Sequence, residues 1–150
     1  MKIDPYKSKQ TYDNWKDLGA EIPKVSKENE KIIRQFIFDM EKGINVGASN
    51  KKGARSHVRL NAYRHKLKLL AQLFEKNSKK NFIDLTKEDC HEIFSQMKTG
   101  KIKRKDGKIY THVADYVLSF KAFWHWHQRI SKKKIPDVTI ELDTKNEKPK

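Results

Sequence analysis

Residues 51–74 read KKGARSHVRLNAYRHKLKLLAQLF, and their reading decides the fold. Leu60, Tyr63, Leu67, Leu70 and Phe74 recur at helical spacing, so at roughly 100° per residue they share one face. That predicts a packed helix over about Arg55–Glu75 rather than a polybasic coil. From Gly43 to Phe74 there is no Asp or Glu, but there are seven Lys/Arg: Lys51, Lys52, Arg55, Arg59, Arg64, Lys66 and Lys68. Arg55, Arg59 and Lys66 fall on one shoulder of the apolar face. Arg64 and Lys68 fall on the other. A folded stretch of one sign repels itself unless a polyanion neutralises it. The pattern is the footprint of a nucleic-acid-binding helix.

The rest of the chain reads as helices around this one. Ser26 can cap a helix whose first turn holds Glu28 and Glu30, the favoured sign at a helix N-terminus. Ile33, Phe36, Ile37 and Met40 then mark its buried face, and Gly43 its end. Thr86 and Asp89 make a capping-box-like start for a third helix, with Ile93, Phe94 and Met97 inward and Gly100 as the stop. A last helix over about Thr111–Ser131 carries Val113, Val117, Phe120, Phe123, Trp124, Trp126 and Ile130. It is apolar over more than half its circumference and should be the most buried. Upstream, a short helix is expected within residues 1–25, with Tyr12, Trp15 and Leu18 as anchors, ended by Gly19.

Two segments interrupt the helices. Residues 98–108, KTGKIKRKDGK, hold six Lys/Arg and one Asp. Asp106-Gly107 is a two-residue hairpin signal flanked by Ile102 and Ile109, so a short basic arm or β-ribbon is predicted between the third and fourth main helices. After Lys132, Lys133 and Lys134, the residues Val138, Ile140 and Leu142 alternate with polar ones and read as a strand. The fold class is therefore all-α, a small bundle of four to five helices. An N-terminal arm covers 1–25, the helical domain 26–131, and a basic linker 132–150.

Composition narrows the function. The chain has 150 residues, with 34 Lys+Arg against 19 Asp+Glu, a net charge of +15. Fifteen aromatics (three Trp, five Tyr, seven Phe) argue for a real core. Nucleic acid is the first partner such a balance implies, and an anionic membrane surface the second. No apolar run is long enough to span a bilayer, and MKIDPYKSKQTYDNW lacks a signal core, so a cytoplasmic protein is expected. The single Cys90 permits neither an internal disulfide nor a thiolate zinc site. It lies near Glu88, Asp89 and Glu92, which raise a thiol pKa. His125 and His127, two apart on a helix, point about 200° apart and cannot share one ion. No phosphate-binding glycine loop or nucleophile elbow is present. Neither a metal nor a cofactor is expected.

The basic residues remain. One Lys run alone reads as solvated surface. Three clusters, at about 51–68, 98–108 and 129–134, read better as phosphate contacts, because solubilising charge is normally interspersed with acid. The candidate DNA-binding residues are Lys51, Lys52, Arg55, Ser56, His57, Arg59, Lys66, Lys103, Arg104, Lys105, Lys108, Thr111, His112, Lys132 and Lys133. Arg55, Ser56, His57, Arg59, Thr111 and His112 stand at helix starts, from which side chains commonly reach base edges.

The entry KKGARSHVRLNAYRHKLKLLAQLF, then LTKEDCHEIFSQM, then THVADYVLSFKAFWHWH, resemble the N-terminal core-binding domain of tyrosine recombinases, the phage-type integrases. With the linker IPDVTIELDTKNEKPK, the chain looks most like the archaeal site-specific integrases of viruses and mobile elements. The resemblance covers about residues 26–131. It implies a SAM-like helical bundle forming half of a clamp around duplex DNA, with the helices entered at Arg55 and Thr111 approaching the major groove. It implies as partners a recombination half-site, a catalytic domain of the same protein and further copies on DNA, with nucleoid association when bound. The family's His-x-x-Arg is missing: three residues after the six histidines stand Leu60, Lys68, Phe94, Asp115, Gln128 and Ile130. This chain is therefore expected to bind DNA without cleaving it. The basic arm at 98–110 also departs from the family's short turn. The alternatives are a general basic DNA- or RNA-binding protein unrelated to recombination, and, further off, a small nuclease.

Overall fold

A computed structural model describes residues 7–45 and 55–144. Five α-helices follow in order: α1 Ser8–Asp17, α2 Lys27–Lys42, α3 His57–Asn77, α4 Lys87–Thr99 and α5 Val113–Ile130, with a 3-10 turn at Phe82–Asp84 before α4. The molecule is a small helical bundle, and α3 packs against each of the other four helices. Among the described residues no helix is long and apolar enough to cross a membrane.

The helix starts follow from their caps. Ser26 Oγ accepts from Asn29 N–H at 3.1 Å. Ser56 Oγ accepts from Arg59 N–H at 3.3 Å, which starts α3 two residues later than Arg55. Thr86 and Asp89 close a full capping box. Each satisfies N–H groups that have no partner within the helix. Gly43 and Gly100 end α2 and α4 in the left-handed region, at φ 73° and 85°. Glu75 of α3 adds a tertiary cap. Its carboxylate accepts from Ser26 N–H at 3.0 and 3.1 Å and from Asn29 Nδ2 at 2.8 Å. Asn29 Oδ1 in turn accepts from Phe82 N–H at 2.9 Å, joining α2, α3 and the 3-10 turn.

Every residue of the predicted α2 and α3 ladders is buried. The aromatic centre is Phe36, Phe74, Phe120, Phe123 and Trp126, joined by Phe82 of the 3-10 turn, whose ring lies 5.0 Å from that of Phe123. Trp126 reaches out of this centre to donate from Nε1 to Asp39 Oδ2 at 2.8 Å. That bond satisfies the one polar group of a fully buried indole.

Four sequence expectations change. First, Leu18 is not an anchor. It is 84 % exposed, because α1 ends at Asp17 and the chain turns to bury Ala20 and Ile22 instead. Second, Arg64 does not stand free on its shoulder of α3: it is half-buried against α1, with its guanidinium 4.9 Å from the centre of the Trp15 ring. Third, the Asp106-Gly107 hairpin has a different turn. Gly107 N–H bonds back to Arg104 O at 2.9 Å, which centres the turn on Lys105 and Asp106. Only Gly107 takes a positive φ, 82°, whereas a two-residue type I′ turn needs it at both central positions. One antiparallel bridge, Lys103 with Ile109, completes the ribbon.

Fourth, residues 138–142 form no strand. They belong to a strap over 132–143 that packs on the bundle, with Val138, Thr139 and Leu142 buried. Residues 138–141 turn instead, with Leu142 N–H bonding back to Thr139 O at 3.2 Å and Glu141 at φ 66°, and side chains take up further backbone groups of the strap. Gln128 Nε2 donates to Ile135 O and Trp124 Nε1 to Pro136 O, both at 2.9 Å. His91 Nε2 lies 3.1 Å from Ile140 O. Packing therefore continues past residue 131, as it does before residue 26, where Tyr12 of α1 is fully buried.

Candidate nucleic-acid interface

The ribbon and the first turns of α5 bring together cations that are far apart in sequence. The ribbon is rooted at the end of α4, where Ile102 N–H donates to Gln96 O at 3.0 Å. The Ile109 side chain closes tightly over Gly100, so a Cβ there would stand 3.1 Å from it. This root holds Lys103, Arg104, Lys105 and Lys108 outward, all exposed. Arg104 pairs with Asp106 at 3.2 Å. Among the described residues no carboxylate pairs with Lys103, Lys105 or Lys108.

Tyr110 follows the ribbon and meets Tyr116 of α5 edge to face, with ring centres 5.7 Å apart. The Lys66 ammonium of α3 lies 6.0 Å from the Tyr116 ring centre. Burial pushes both phenols above their ordinary pKa, and the charge of Arg104 acts on both in the opposite direction. So Lys66, 38 positions before Arg104 in the chain, shares one neighbourhood with it. Thr111 and His112 are exposed at the entry to the same helix. His112 occupies the N-cap position without a side-chain cap bond.

The other candidates sit elsewhere. Arg55 is half-buried, and its N–H bonds to Met40 O at the end of α2. Arg59 is exposed one turn into α3, on the same shoulder as Lys66. Ser56 is occupied as the α3 cap, and His57 packs against Tyr12 with ring centres 5.4 Å apart. Lys132 and Lys133 are exposed beyond the C-terminal end of α5, roughly 27 Å along the helix from its start at 1.5 Å per residue. Beside that end, Arg129 donates to Asn45 O at 3.3 Å. Lys51 and Lys52 lie outside the described residues. The candidates thus form two groups at opposite ends of α5, joined by the Arg55–Arg59–Lys66 shoulder of α3.

Tyr110 and Tyr116 are absent from the sequence-based candidate set. An aromatic at helical spacing reads as core, and only the fold sets this pair beside two cations. By contrast, the cations on and around α4 are paired with carboxylates. Lys80 pairs with Asp89 at 2.8 Å, Lys87 with Glu141 at 3.1 Å and Lys98 with Asp143 at 2.6 Å.

Chemistry of other kinds has little to stand on. Among the described residues no three His, Cys, Asp or Glu side chains gather to hold a metal ion. Cys90 is fully buried, and burial foremost pushes its thiol up to about 12, far from a reactive thiolate. His125 pairs with Asp137 of the strap at 3.1 Å, while His127 is buried against Phe123 and Trp124. No protein-family model matches the chain, and neither a curated protein nor a solved structure shows a significant match.

Proposed function

We propose that the protein binds double-stranded DNA without cleaving it, as the core-binding part of an archaeal-type tyrosine recombinase. One observation carries the DNA-binding reading: Lys66 of α3 lies over the Tyr116 ring that packs on Tyr110, and the charge of Arg104 acts on both phenols, beside three ribbon lysines that have no carboxylate partner among the described residues. A bundle that needed charge only for solubility would pair or disperse it, as α4 does. The recombinase part rests on the resemblance of the α3, α4 and α5 segments, and the five-helix bundle is compatible with it.

In this reading the α3 shoulder and the ribbon lie along the phosphates, and Thr111 and His112 approach a groove. Six to eight phosphate contacts give a log–log slope of affinity against salt of roughly −5 to −7. A salt titration of binding to a mixed-sequence duplex tests it, and a slope near zero sinks it. Competition between duplex DNA and structured RNA separates it from a general RNA-binding protein: strong preference for the RNA favours the latter.

A further inference from the structure

We infer that the hydroxyls of Tyr110 and Tyr116, with Arg104 and Lys66 beside them, form a subsite for one phosphodiester group of the DNA backbone. The inference rests on the DNA-binding reading above and gives that surface a specific contact.

The geometry supports it in three ways. The two rings fix each other, edge to face at 79° between planes, so their orientation is set before any ligand arrives. The Lys66 ammonium lies 6.0 Å from the centre of the Tyr116 ring, which brings a cation of α3 to the pair. The polar ends remain. Half-buried phenols usually find a hydrogen-bond partner. Among the described residues neither of these hydroxyls has one, and neither is sealed from solvent as an orphaned buried atom. Two O–H donors beside a guanidinium and an ammonium suit a phosphate oxyanion, which accepts from all four.

Two carboxylates face the same place. Asp106 pairs with Arg104, and Asp115 stands in the first turn of α5 near Tyr116. Both are exposed. An exposed ion pair is weak, so Arg104 can exchange Asp106 for a phosphate at small cost. A phenol is protonated through the physiological range, and burial pushes both of these further up, so they remain donors.

The test is the double variant Tyr110→Phe/Tyr116→Phe, measured by fluorescence anisotropy on a short mixed-sequence duplex. Phenylalanine keeps the ring packing, so the melting temperature should not move. Affinity should fall roughly tenfold, the scale of hydrogen bonds to a charged group, with the salt slope unchanged because no cation is removed. Arg104→Ala should weaken binding and make the slope shallower by about one. The Tyr→Phe loss should be smaller in that background, since the groups share one phosphate. Inorganic phosphate should displace the duplex no better than chloride at equal ionic strength.

A parent that binds the duplex and a double Phe variant that binds it equally well would overturn the subsite and leave DNA binding standing. So would a loss confined to Tyr→Ala variants, which would assign the rings to stacking. Displacement specific to inorganic phosphate and abolished in the Phe variant would assign the site to free phosphate instead. A parent that fails to bind the duplex at all removes the functional reading and the subsite together.

Discussion

The ribbon and the strap are both short, irregular and rich in lysine at their borders, yet they handle charge in opposite ways. The strap brings Asp137, Glu141 and Asp143 onto His125, Lys87 and Lys98 and buries Val138, Thr139 and Leu142. The ribbon buries no residue and holds Lys103, Lys105 and Lys108 in water without carboxylate partners among the described residues. A segment that spends its polar groups on its own bundle is structural. One that leaves them unspent, on a tightly fixed root, is available to a partner. The difference teaches that charge density alone does not mark an interface. What marks it is charge that the fold declines to neutralise.

The contrast can be broken first through stability. Trp124→Ala removes a fully packed indole and its bond to Pro136, and should cost about 3–5 kcal/mol in urea unfolding. Replacing Lys103, Lys105 and Lys108 together by Ala should stay within about 0.5 kcal/mol of the parent. The same triple variant should lose at least about tenfold in duplex affinity, with a salt slope shallower by roughly two to three. A ribbon that proved essential for stability would erase the distinction.

Acid should act through two imidazoles, His127 of α5 and His65 of α3, the latter held below its ordinary value by burial and by the charges of Arg64, Lys68 and Lys66. Burial holds the His127 imidazole below its ordinary value of 6.5. A group whose folded pKa is depressed in this way gives stability that is complete above its unfolded value and lost as pH falls through the folded one. Thr139 and His125 hold the Asp137 carboxyl below its ordinary 3.8 against the opposing effect of burial, so its contribution is lost only at lower pH, by the same sign. Unfolding free energy should therefore begin to fall below about pH 6.5, and His127→Phe should flatten part of that first decline in urea titrations taken from about pH 7.5 to pH 5, with His65 accounting for the part that persists. An unchanged decline would remove His127 from the explanation. The smallest effect is expected from Lys87→Ala or Lys98→Ala, whose exposed ion pairs to the strap are worth about 0.2–1 kcal/mol each by thermal melting.

The helices were legible because their signals are local. Ser26 names the start of α2 and Thr86 with Asp89 that of α4, and the apolar ladders of α2 and α3 name buried faces, whereas Ser56, read as a DNA contact, is the cap of α3. What escaped depends on tertiary partners. Phe82 lies in a 3-10 turn with no periodicity to betray it, yet it packs on Phe74, Phe120 and Phe123. The strap mimics a strand because Val138, Ile140 and Leu142 alternate, but 138–141 turn and leave Ile140 exposed, while Trp124 and Gln128, which sequence spacing cannot pair with it, hold the strap at Pro136 and Ile135. Arg64 counted as outward charge, but it is half-buried against α1. The candidate site was legible as a charge balance and as a ribbon. Its assembly was not, because Lys66 of α3 reaches the Tyr116 ring of α5 only when α3 and α5 pack together.

The central claim is that polyanion binding belongs to the ribbon–α3 face and not to the α4–strap face. The direct measurement compares two double variants in duplex-binding salt titrations: Lys66→Ala/Arg104→Ala and Lys87→Ala/Lys98→Ala. Each removes two positive charges, so a bulk charge effect would weaken both alike. The first is expected to lose affinity with a slope shallower by about two, and the second to match the parent. Equal losses in the two variants would contradict the claim.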